Sequence, residues 1–133
     1  MHQFAPLFGR IGLSLLFIIS GWGKVAGYAA TQQYMDALGV PGALLPLVIA
    51  LELGGGLALL AGLGTPWLAL AFAAFSLASG FLFHWDLADA AQTTNLLKNI
   101  AIAGGFLALS ATAVPRYSVD AVLARRNHEG ATA

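Results

Sequence analysis

The chain has 133 residues, of which 59% are hydrophobic and 9% charged, and its formal charges sum to zero. Soluble domains carry about 25% charged residues, so this composition excludes an ordinary soluble domain, and the lack of a basic excess argues against nucleic acid as a partner. Cysteine is absent, which excludes thiol–disulfide exchange, thiolate metal sites and iron–sulfur clusters.

Apolar residues gather in four stretches, 7–23, 44–63, 66–83 and 96–114. A bilayer core about 30 Å thick is crossed by about 20 apolar residues of helix. Lipid leaves no partner for unpaired backbone, so each stretch is predicted to be a helix. The predicted fold is all-α: an integral membrane, antiparallel four-helix bundle forming one domain over residues 1–133. The connections are too short to hold a second core.

In chain order, Pro6 precedes the first span at a position where its missing N–H costs nothing. The polar segment 29–38 places Tyr34, Met35 and Leu38 on one face, which predicts a short interfacial helix stopped by Gly39 and Pro41. The second span carries Pro46, Glu52 and the run Gly54-Gly55-Gly56, and is expected to be unbroken. Gly62 to Pro66 reads as a tight turn, with Thr65 as the cap of the third span. That span ends at His84-Trp85. After a polar connection, the fourth begins at Asn95-Leu96-Leu97-Lys98-Asn99 and stops before Pro115. Gly54–Gly56 and the series Ala101, Gly104, Gly105, Ala108 and Ala111 are read as small-residue surfaces for helix packing.

Arginine sets the expected orientation. Arg10, Arg116, Arg125 and Arg126 share one side, whereas only Lys24 and Lys98 lie toward the other. Positive-inside bias then puts both termini in the cytoplasm and turns the connections 28–41 and 85–94 outward.

Glu52 falls about 12 Å into the second span at 1.5 Å per residue. An acid near mid-membrane is costly, so it is expected to face the bundle interior and pair, with Lys98 the first choice and Lys24 the second. Trp22, Lys24, Glu52, His84, Asn95, Lys98 and Asn99 all fall at or below the outer ends of their spans. Together they predict a polar cavity in the outer half. The plainer reading of each basic residue alone is an interface anchor, and of His84-Trp85 an aromatic belt. A buried pair can also serve only to fix helix register. No cluster suggests a metal site, and no bis-histidine haem, H-E-x-x-H, Walker A or G-x-S-x-G pattern occurs.

The patterns Arg10…Phe17…Ser20-Gly21-Trp22-Gly23-Lys24, Glu52-Leu53-Gly54-Gly55-Gly56 and Asn95-Leu96-Leu97-Lys98-Asn99-Ile100-Ala101…Gly104-Gly105 resemble the DoxX family. The resemblance runs from Phe8 to Leu109. It implies a small four-helix protein of the bacterial inner membrane. It also implies association with membrane redox complexes, because the family is named for similarity to subunits of a thiosulfate:quinone oxidoreductase. The family's recurrent polar positions look similar to Arg10, Lys24, Glu52, His84, Asn95, Lys98 and Asn99.

The expected function is a redox-linked membrane subunit that binds a quinone-like or other small amphiphile in the outer-half cavity, with no intrinsic cofactor. Lys24, Lys98 or His84 would bond a carbonyl, Trp22 and Trp85 would pack on the ring, and Glu52 would relay a proton. A scaffold or assembly partner of a larger complex is the alternative, and a small transporter is a weaker third, because unbroken helices offer little for alternating access. No motif assigns turnover to the chain itself. The fitting partners are the lipid bilayer, a membrane redox complex and a second copy of the chain.

Overall fold

The computed structural model describes residues 4–112 and 117–130, with side chains as far as residue 127. The described residues form six helices and no strand: α1 (Ala5–Ala26), α2 (Tyr28–Ala37), α3 (Gly42–Ala61), α4 (Thr65–Phe83), α5 (Ala90–Ser110) and α6 (Val119–Gly130). Three of them, α1, α3 and α4, are long and apolar enough to cross a membrane. The fourth predicted span corresponds to α5, which matches them in length but carries Gln92 to Asn95, Lys98 and Asn99 in its first half. The predicted end of that span at Val114, with Pro115 and Arg116, lies outside the described residues.

The predicted interfacial segment is helical, and α2 ends where Gly39 takes φ 77°, a conformation that favours glycine. Helix α2 is tied to the start of α3. The Asp36 carboxylate accepts the Gly42 amide at 2.7 Å, and Gln32 Nε2 donates to the Gly42 carbonyl at 3.2 Å.

Helix α3 is not uniform, contrary to the sequence expectation. It opens with a 3₁₀ turn over Gly42–Leu44 and widens to a π turn over Ala50–Gly55 before resuming as α-helix. The glycine run permits this, because glycine has little intrinsic preference for the α ladder. A π turn admits an extra residue and rotates the remainder of the helix about its axis. Glu52 lies in that turn, against Gly21 of α1. A Cβ on Gly21 would stand 2.9 Å from Leu53 Cγ and 3.0 Å from Glu52 Cβ, so the two helices meet here at backbone distance.

The α3–α4 turn holds Gly62 and Gly64 at φ 73° and 61°. Thr65 does not cap α4. The chain enters the helix through Gly64, so Thr65 is already its first residue rather than the flanking position from which a hydroxyl caps. Asp120 of α6 caps the helix instead, from 55 residues away. Its carboxylate accepts the amides of Gly64 at 2.9 Å and Thr65 at 3.2 Å.

The core joins the long helices through rings. Phe17 of α1, Phe72 of α4 and Phe106 of α5 stand with centroids 4.5 to 5.5 Å apart, and Leu59 of α3 is fully buried in the same cluster. Asp89 caps α5 by accepting the Ala91 and Gln92 amides, which starts the helix at Ala90, well before the apolar run. Helix α5 buries Leu96, Ala103, Phe106 and Leu109, chiefly against α4. The small residues Ala101, Gly104, Gly105, Ala108 and Ala111 are exposed, although a Cβ on Gly105 would lie 3.7 Å from Leu13 of α1. Large side chains fill the contact with α4, where rings gain more from burial than glycines would.

Candidate functional site

The membrane-embedded acid is enclosed. Glu52 is 2% exposed. Its partner is Lys24 of α1, with Nζ 2.8 Å from Oε2 and 3.0 Å from Oε1. Nζ donates a hydrogen bond to Oε1 and makes an ion-pair contact with Oε2. Ser20 completes a triad. Its hydroxyl accepts from Lys24 at 2.8 Å and donates to Glu52 Oε1 at 3.3 Å. Ser20 and Lys24 are four residues apart and therefore share a helix face.

The expected order of partners is thus reversed. Lys98 is exposed on α5, while Lys24 sits on the helix that Gly21 brings against Glu52. Closeness of the two backbones decides the pairing, since a short reach leaves the ion pair in low dielectric without stretching the lysine stem.

The pair lies at one end of a groove of about 330 Å³ between α1, α2, α3 and α4. One wall is Thr31, Tyr34 and Met35 of α2 with Val40. The second is Leu44, Val48 and Glu52 of α3. The third is Phe75, Ala78, Ser79, Leu82, Phe83 and His84 of α4. Tyr34 stacks on Phe83 with ring centroids 5.8 Å apart. At the end of α4, His84 Nδ1 lies 2.7 Å from Gln92 Oε1. That bond holds Nδ1 and turns the ring toward its other nitrogen for any further partner.

Of the residues singled out from sequence, Lys24, Glu52 and His84 line this groove. Trp22 is exposed on α1. Asn99 bonds its own helix, donating Nδ2 to the Asn95 carbonyl at 3.0 Å, and its Cβ is where a Cβ on Gly80 would meet α5. Asn99 therefore belongs to the α4–α5 contact, and neither asparagine lines the groove. Sequence reasoning missed the whole α2 wall and Gln92. The apolar face Tyr34–Met35 was the available signal for α2, and no pattern pointed to Gln92.

Arg10 is also buried, at 3% exposure, and its Nη2 donates to the Tyr117 carbonyl at 2.7 Å. The Asp120 amide donates to the Gly62 carbonyl at 3.1 Å. The start of α1, the α3–α4 turn and the segment after α5 thus meet at one end of the molecule, opposite the groove.

A helical chain with three membrane-capable helices and an ion pair between two of them, its acid buried, is an integral membrane protein. It belongs to the DoxX family, which it matches over residues 5–85; the α5 motif lies beyond that match. It is similar to inner membrane protein YqjF of Escherichia coli strain K12, with 51% identity over 126 residues covering 95% of this chain and 97% of the relative. It is also similar to inner membrane protein YphA of the same strain, with 36% identity over 121 residues covering 86% of each. No solved structure matches.

Proposed function

We propose that this chain is a four-span bacterial inner-membrane protein whose groove binds a small quinone-like amphiphile, head group toward Lys24 and Glu52, as the membrane subunit of a redox complex. The observation that carries the reading is the combination of an apolar groove with an ion pair in its lining whose acid is buried. A costly mid-membrane charge opens into space of ligand size rather than into packed side chains. Val48, Phe75 and Leu82 suit a ring or tail, and Tyr34 and His84 offer polar contacts at the other end. The chain would bind and orient the amphiphile, and a partner protein would exchange the electrons.

The topology accords with the same reading. Helix α5 spans about 31 Å at 1.5 Å per residue and runs along α4, so it serves as the fourth crossing. The Arg10–Tyr117 bond supports this, because an even number of crossings returns the chain to the side where α1 began. Arg10, Arg125 and Arg126 then favour the cytoplasm for that side.

The test is to purify the protein in lipid nanodiscs and identify co-extracted small molecules by mass spectrometry, beside a Val48→Trp variant that fills the groove. A quinone retained by the parent and lost from the variant supports the reading. Equal retention by both refutes the groove as its site.

A further inference from the structure

Among the described residues, helix α6 is tied to the bundle at its first turn and the segment just before it. The Asp120 carboxylate takes the Gly64 and Thr65 amides, its own amide bonds Gly62, and Tyr117 just before the helix is gripped by Arg10. Past that turn, Val119, Val122 and Leu123 fall at i, i+3 and i+4 on one face, and all three are exposed, Val122 at 54% and Leu123 at 45%. Arg126 continues the same face one turn on, and Arg125 flanks it; both are exposed. A helix of 12 residues is marginal in water without a surface to pack on. Nothing among the described residues covers this one.

The surroundings name the surface. Helix α6 starts where the apolar helix α4 starts, so it leaves the protein at a membrane boundary. Trp67, 79% exposed in the first turn of α4, and exposed Tyr117 flank that point, as amphipathic aromatics do at headgroup level. Asp120 is the sole acid of α6 among the described side chains, and its charge is spent on two amides; Glu129 comes only beyond the two arginines in the sequence. The outer part of the helix therefore offers an apolar stripe and two cations, a combination complementary to a lipid interface with negative headgroups.

We propose that α6 is an interfacial helix that seats Val119, Val122 and Leu123 among acyl chains and holds anionic phospholipid headgroups with Arg125 and Arg126. Asp120 and Arg10 act as its hinge pin to the bundle. The proposal needs only a bilayer of the right charge and is independent of the groove and its ligand.

The absence of cysteine makes the test direct. Single Leu123→Cys and Ala124→Cys proteins carry a nitroxide spin label in nanodiscs of phosphatidylcholine alone or mixed with phosphatidylglycerol. Nanodiscs present the same lipid on both faces, so the membrane orientation does not enter. Collision with oxygen and with a water-soluble nickel complex reports depth. With phosphatidylglycerol, the label at 123 should be oxygen-accessible and nickel-protected, and the label at 124 the reverse. Arg125→Gln and Arg126→Gln, added to the 123 label, should each reduce the lipid-seated population about fivefold. Equal nickel access at 123 and 124 in phosphatidylglycerol discs overturns the proposal. So does burial of 123 that is the same in both lipids and unmoved by the arginine changes.

Discussion

Lys24 Nζ lies 2.8 Å from Glu52 Oε2, beside Gly21, where α1 and α3 approach at backbone distance. Removing either charge strands the other. Glu52→Ala should destabilise the protein by about 3–5 kcal/mol, as expected for a buried pair broken on one side, whereas Glu52→Gln should cost less because its carbonyl still accepts from Lys24. Replacing both residues by methionine should cost less than Glu52→Ala alone. Thermal unfolding in one detergent across the four proteins checks the order.

The same contact depends on Gly21. A Cβ there would press on Leu53 and on the α3 backbone at 2.9 to 3.0 Å. Gly21→Ala should therefore cost about 1–3 kcal/mol through overpacking. Gly104→Ala meets nothing within 4 Å and should be neutral or slightly stabilising, since alanine is the better helix former. Midpoints that fall equally in the two variants would show that the α1–α3 approach is not as close as described.

Much of this was legible in the sequence, for identifiable reasons. Helices long enough to cross lipid announce themselves by length, and Glu52 stands out because an acid inside such a stretch is costly. The choice of Lys24 over Lys98 was not legible. It stems from the π turn and from Gly21, and neither the rotation of a helix nor a close approach is encoded in spacing alone. Asn95 and Asn99 carry the same polar signature as a ligand site, yet neither lines the groove, and Asn99 sits in the α4–α5 contact. Depth along a span could be read, but not which face turned inward.

Asp120 illustrates what long range hides. Local pattern offered Thr65 as the cap of α4, and the helix instead takes a carboxylate from 55 residues away. Asp120→Ala should cost about 1 kcal/mol as a lost cap and should speed hydrogen exchange at the Gly64 and Thr65 amides. Thr65→Ala should leave both amides protected. Backbone exchange measured by mass spectrometry separates the two, and fast exchange in Thr65→Ala alone would restore the local cap.

The binding groove is the central claim, and direct titration tests it most plainly. A short-chain quinone analogue added to the protein in nanodiscs, followed by quenching of intrinsic fluorescence, should bind saturably to the parent. Affinity should be abolished in Val48→Trp and fall about tenfold or more in Glu52→Gln, the scale of a lost hydrogen bond to a charged group. Lys98→Ala, outside the groove, should bind as the parent does. Absence of saturable binding by the parent, or an affinity untouched by Val48→Trp, would contradict the account.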